Sequence, residues 1–236
     1  MTISILAYDE KTGAYGSAAM TGSLCVGAWV LRGDAESGLS ASQGSLPSTL
    51  WGTETLDLMR SGMSAEEAVS TVTGRDSGRD HRQLAVLDLA GRTAGFTGAE
   101  SIPVADIRSD RHVIVSGNLL ASETVLDRCI EGYLNAQGSL DQRLLTALQA
   151  AADAGGDSRG LLSAALLIVS RSAAPLSLRI DHSSDPLADL HALHRTATSG
   201  VYSEWVQLVP TLDEPERAAP LPVDKRLDED ARSIQP

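Results

Sequence analysis

The chain has 236 residues, of which 42% are hydrophobic but only 3% aromatic, and its formal net charge is −12. That length suffices for one sizeable domain, with a core that Ala, Leu, Val, Ile and Gly must fill in place of rings. The acidity argues against nucleic acid and anionic membrane surfaces as partners, because phosphates would repel it. The sequence shows neither a run of about 20 apolar residues nor a basic-then-apolar leader, so a cytoplasmic protein is expected.

Residues 2–8 interleave Ile, Leu and Tyr with small residues and predict a strand, and the polar pentad 9–13 predicts a hairpin turn. Small residues dominate 14–20, the second strand, so another element must pack closely on it. Residues 26–31 (Val-Gly-Ala-Trp-Val-Leu) predict a third strand and 39–43 a fourth. Helical spacing over 49–60 precedes a capping box at Ser64 and Glu67, which opens a second helix to Thr73. So short a joint predicts an antiparallel helix pair on one sheet face.

Residues 83–89 and 92–97 predict a second hairpin, and 112–116 a strand ending on Gly117-Asn118. Helices are expected over 122–133 and, from a cap at Ser139, to Ala154. A glycine-dense loop, 155–160, feeds an apolar strand over 161–170 and another over 176–181. Asp185 as N-cap and Pro186 at the first helical position open a last helix through Leu193. From Pro210 the chain is acidic and Pro-rich, which divides it into a domain over 1–209 and a tail over 210–236. Short hairpins and two helix pairs predict an α+β fold, namely a four-layer α-β-β-α sandwich with mostly antiparallel sheets.

Few residues in this pattern suit chemistry. If Met1 is removed, Thr2 carries a free α-amine of pKa near ~8 that can serve as base for its own hydroxyl. The plainer reading makes Thr2 a small polar start to a strand. Asn118, between a strand end and a helix, is placed as an oxyanion-type donor or as a simple turn residue. Gln43, ending the fourth strand, and Arg82, entering the second hairpin, are expected at the same end of a sandwich. Asp157 and Arg159 sit in a loop whose glycines admit a ligand, and they either fix a polar substrate or form a structural ion pair. His191 and His194, three apart on a helix, lack a third ligand, so no metal and no cofactor are expected. Cys25 and Cys129 read as small core residues. There is neither a phosphate loop nor a Gly-x-Ser-x-Gly elbow.

A series of segments carries a family resemblance: Ser4-Ile5-Leu6-Ala7-Tyr8-Asp9, Val26-Gly27-Ala28, Gly62-Met63-Ser64-Ala65-Glu66-Glu67-Ala68, and Arg82-Gln83. Further on come Gly117-Asn118-Leu119-Leu120, the loop Gly155-Gly156-Asp157-Ser158-Arg159-Gly160, Asp181-His182 and Asp185-Pro186. Through these the chain resembles the domain-of-unknown-function family 1028, grouped with the N-terminal-nucleophile (Ntn) hydrolases. The resemblance implies an Ntn-hydrolase-like α-β-β-α sandwich. It also implies amide cleavage by the first residue after processing, here Thr2, with its own amine as base. The oxyanion donor and substrate clamp are then sought among Asn118, Gln43, Arg82, Asp157 and Arg159. The chain departs from the family pattern at Thr21-Gly22 and Leu46-Pro47, and it has no lysine between Lys11 and Lys225.

The leading expectation is therefore an Ntn-type hydrolase of a small amide or peptide, forming a homo-oligomer, with neither nucleic acid nor membrane as partner. The alternative is a non-catalytic protein that binds a small molecule or a partner on the same fold. A third reading places a site on Asp157 and Arg159, away from the terminus.

Overall fold

The computed structural model describes residues 2–156 and 160–218. The protein is an α+β structure in which, among the described residues, ten strands form two sheets with every neighbouring pair antiparallel. In chain order the first elements are β1 (Thr2–Asp9), β2 (Ala14–Thr21), α1 (Val26–Trp29), β3 (Leu31–Asp34), β4 (Gly38–Gly44), α2 (Trp51–Arg60) and α3 (Ala65–Gly74). Then follow β5 (Arg82–Leu87), β6 (Thr93–Thr97), β7 (Asp106–Asp110), β8 (Val113–Asn118), α4 (Thr124–Asn135) and α5 (Leu140–Asp153). The chain closes with β9 (Ser163–Val169), β10 (Leu176–Ile180), α6 (Pro186–Ala197) and α7 (Gly200–Val206). The larger sheet runs β10-β9-β2-β1-β8-β7 and the smaller β3-β4-β5-β6.

Alternation along the strands sorts their side chains between two environments. Ile3 and Ile5 of β1 join a cluster with Leu126 of α4, Leu144 and Leu148 of α5, and Leu190 of α6. Leu6, on the other face of β1, joins Leu39, Ala41, Ala85 and Leu87 from the smaller sheet. A third cluster seats Trp51 and Met59 of α2 and Val69 and Val72 of α3 on Leu84 and Val86 of β5. The small residues of β2 have the close neighbour they predict. A Cβ on Gly16 would lie 2.6 Å from Leu144 Cδ1 and 2.9 Å from Leu140 Cδ2, so these leucines of α5 rest directly on the bare glycine.

Local signals fix the helix ends. The Ser64–Glu67 capping box opens α3, and the Asp185 carboxylate accepts from the Ala188 N–H at the start of α6. Asp88, buried in the β5–β6 turn, accepts from the N–H groups of Ala90, Arg92 and Ala65, and so ties that hairpin to the first turn of α3.

Three expectations need correction. Residues 26–29 are helical, not the start of a strand. Cys25 turns into the left-handed region (φ 61°), the Ser163 hydroxyl caps the Val26 N–H at 3.1 Å, and Val26 and Val30 bury the same helical face. The third strand begins only at Leu31. The polar strand β7 has no counterpart in the sequence reading, because its arginine is balanced partly from outside: Arg108 pairs with Asp106 within the strand and donates to Asp127 of α4 at 2.8 Å. Finally, α6 runs past Leu193 to Ala197, and α7 follows it without burying any residue. Beyond residue 209 the chain returns to the body, where the Asp213 N–H donates to the Arg171 carbonyl. Among the described residues no helix is long and apolar enough to cross a membrane.

Candidate functional site

Thr2 sits at the end of β1, and the ladder places it directly between Thr21 of β2 and Asn118 of β8. Thr2 has the parity of Ser4 and Leu6, so its side chain belongs to the face that meets the other sheet. Its Oγ1 lies 3.1 Å from Thr21 Oγ1, and the residue is half-buried.

Below it a chain of neutral polar groups replaces the apolar packing. Ser4 donates to Gln43 Oε1 at 2.9 Å and shares a hydrogen bond with Ser116 Oγ at 2.9 Å. A hydroxyl has one proton, so Ser116 must be the donor in that pair. Gln43 Nε2 donates to Gln83 Oε1 at 2.7 Å and reaches the Thr2 carbonyl at 3.4 Å. Gln83 Nε2 in turn faces Thr97 Oγ1 at 2.9 Å, Gly117 O at 3.0 Å and Asp106 O at 3.1 Å. The direction of every link is set. A flipped Gln43 amide would point its oxygen at Gln83 Oε1, and burial makes such a mismatch costly.

Thr2 opens onto a cavity of 660 Å³. Thr2, Thr21 and Gln43 contribute polar groups to it, while α1, the loop before it and the turn after β4 contribute apolar side chains. Gly44 makes that turn with φ +134°, where a Cβ would lie 2.5 Å from the His81 carbonyl. Volume, concavity and a few convergent polar groups are the usual attributes of a small-molecule site.

A model of the family of unknown function DUF1028 matches residues 2–190. The chain belongs to that family. The crystal structure of a Silicibacter pomeroyi protein, described by the same family model, resembles this DUF1028 chain with a TM-score of 0.89 and 46% sequence identity, covering 93% of this chain and 99% of the other. No curated protein matches the sequence.

In this DUF1028 chain, four of the six site residues read from the sequence come together. Thr2, Gln43 and Arg82 line the cavity, and Asn118 stands beside Thr2 in the ladder. Asn118 is not among the lining residues. It is buried, and its Nδ2 lies 3.4 Å from Gln83 Oε1. Arg82 donates from Nε to the Leu46 carbonyl at 2.9 Å and pairs with Asp76 through Nη1. Burial pushes the Asp76 carboxyl up, but hydrogen bonds from the Gly78 N–H and Arg82, with the Arg82 charge, hold it below the ordinary aspartate value. The cation at the cavity edge is thus already compensated. Asp157 and Arg159 lie outside the described residues.

Sequence reasoning missed Gln83, Ser4, Ser116 and Thr21 as parts of the site. Their signal is polarity at strand positions of inward parity, since Ser4 interrupts the run Ile3, Ile5, Leu6. His194 is buried with its Nε2 hydrogen-bonded to Asp141 Oδ2, which joins α6 to α5. Among the described residues no three His, Cys, Asp or Glu side chains are grouped as a metal site. Cys129 is buried in the helix-covered cluster, where desolvation raises its thiol pKa far above the ordinary value. Cys25 is half-buried at the start of α1.

Proposed function

We propose that the protein is an Ntn-type amide hydrolase whose nucleophile is the Thr2 hydroxyl and whose base is the Thr2 α-amine, freed when the residue before it is removed. The observation that carries this reading is the position of Thr2: a hydroxyl at a strand end, lining a 660 Å³ cavity, with its backbone carbonyl reached by the Gln43 amide at 3.4 Å. The packing supports the matching architecture, an α-β-β-α sandwich, since α4, α5 and α6 cover the larger sheet and α2 and α3 the smaller, with Leu6 meeting Leu39 and Leu87 between them.

The chemistry would run as acyl transfer. Thr2 Oγ1 attacks the substrate carbonyl carbon, and its proton passes to the Thr2 α-amine. Collapse breaks the C–N bond, the ammonium gives its proton to the leaving nitrogen, and an ester to Thr2 remains. Water then attacks the ester, the amine takes one water proton, and the C–O bond breaks to return the threonine hydroxyl and release a carboxylic acid. No other base is required.

Gln43 lines the cavity and holds only a long bond to the Thr2 carbonyl, so it supplies the oxyanion donor in this reading. Asn118, bonded to Gln83 behind it, keeps that amide chain in place. The test is hydrolysis of a panel of small amides by protein that has lost Met1. Thr2→Ala should lower turnover by at least about 10³-fold while leaving thermal unfolding nearly unchanged. Equal turnover by both proteins would remove Thr2 from the chemistry, and no turnover by either would leave the fold as a binding module.

A further inference from the structure

Three large apolar side chains around the cavity are left open to solvent: Leu24 is 52% exposed, Trp29 53% and Leu46 61%. Single exposed hydrophobic residues need no explanation, but three that converge on one concavity do. Each comes from a segment that the fold sets deliberately. Leu24 precedes the left-handed Cys25, Trp29 lies on the outer side of α1 while Val26 and Val30 are buried, and Leu46 follows the Gly44 turn. The Leu46 carbonyl is held by Arg82 Nε at 2.9 Å, so its loop is fixed against the cavity.

The polar groups tell the other half. Among the described residues lining the cavity, Thr2, Thr21, Ser23, Gln43, Ser45 and Thr49 are neutral, and no carboxylate is present. The single charged side chain among them, Arg82, is paired with Asp76. A charged group brought against Leu24, Trp29 and Leu46, at the far end from the Thr2 amine, would lose its hydration without gaining an unpaired counter-ion, which is unfavourable. An apolar group there would remove three exposed hydrocarbon surfaces from water, each Å² contributing about 25 cal/mol.

We propose that the cavity selects neutral amides bearing an apolar acyl chain, with the chain against Leu24, Trp29 and Leu46 and the amide over Thr2. This deepens the hydrolase reading and rests on it for the orientation of the amide, but binding can be measured without turnover. The probes are butanamide, hexanamide and octanamide, together with the monoamide of adipic acid, which carries a carboxylate at the far end. Binding is followed calorimetrically on Thr2→Ala, which keeps the cavity and lacks the nucleophile.

Affinity should rise severalfold with each two-carbon extension, and the carboxylate-ended probe should bind at least about tenfold more weakly than hexanamide. Trp29→Ala, at an exposed position, should remove most of the chain-length gain, and Leu46→Ser should do the same if the tryptophan variant folds poorly. Affinity independent of chain length, or tighter binding of the carboxylate-ended probe, would overturn the proposal. The two readings fail separately. Chain-length-dependent binding without hydrolysis by the Met1-free protein sinks the hydrolase and leaves the selectivity standing. Hydrolysis at equal rates across the series, with flat affinity, sinks the selectivity and leaves the hydrolase standing.

Discussion

The space between the two sheets has two unlike ends built from the same strands. At one end Leu6, Leu39, Leu87 and Ile114 pack with Tyr15, whose hydroxyl donates to the Leu89 carbonyl at 2.7 Å. At the other, two to four residues along the same strand faces, stand Thr2, Ser4, Gln43, Gln83, Ser116 and Asn118. The apolar end is held by packing that tolerates no particular orientation of a bond. The polar end is held by donors and acceptors that each fix their neighbour. Hydrocarbon would fill that end as well, so its polarity is explained by the cavity and not by the fold.

The contrast predicts which substitutions cost stability and which cost activity. Leu39→Ala should have the largest effect on folding, about 2–5 kcal/mol in denaturant unfolding, with turnover per folded molecule unchanged. A large loss of turnover in still-folded Leu39→Ala would show that the two ends are not separable. Gln83→Leu should cost about 1–3 kcal/mol, because it removes the acceptor of the shorter Gln43 Nε2 bond and the side-chain donor that faces the Gly117 and Asp106 carbonyls. It should also lower turnover, since Gln43 loses the acceptor that orients it. Full activity in Gln83→Leu would detach the amide chain from catalysis.

The smallest effect concerns pH. The polar end contains no acidic side chain, so acid sensitivity arises elsewhere, at carboxyls that the fold holds low, among them Asp76, Asp106 and Asp141. Burial pushes the Asp141 carboxyl up, but hydrogen bonds from Ser139 and His194, with the histidine charge, bring it below the ordinary value of 3.8. A carboxyl held low in the folded state adds stability above its unfolded pKa and loses it as pH falls through the folded value. Stability should therefore decline below about pH 4, and Asp141→Asn should flatten that decline. Turnover should instead follow the Thr2 amine and rise with pH toward ~8. An acid limb unchanged in Asp141→Asn would place the sensitivity in other carboxylates.

Much of this was legible in the sequence, for physical reasons that also explain the gaps. The hairpins, the helix pairs and their caps are encoded within short windows, and Thr2 and Gln43 stand at the cavity because they end strands, whereas Asn118, also at a strand end, is buried beside Thr2. The helix α1 was not, because its helicity depends on Ser163, which is 137 residues from Val26. Strand β7 escaped because the arginine of its Asp-Ile-Arg-Ser-Asp pattern is paired in part by a carboxylate on α4, Asp127. Gln83 was overlooked for a similar reason, since its partners come from β4, β6 and β8 and no window of sequence contains them.

The central claim is that Thr2, with a free amine, attacks an acyl carbon. Its most direct test is the intact mass of the untagged protein before and after exposure to an acylating β-lactone, with the adduct mapped by peptide sequencing. The account predicts a starting mass that lacks Met1, one added acyl group on Thr2, and no adduct in Thr2→Ala. Retained Met1 in every preparation, or an adduct that persists in Thr2→Ala, would contradict it.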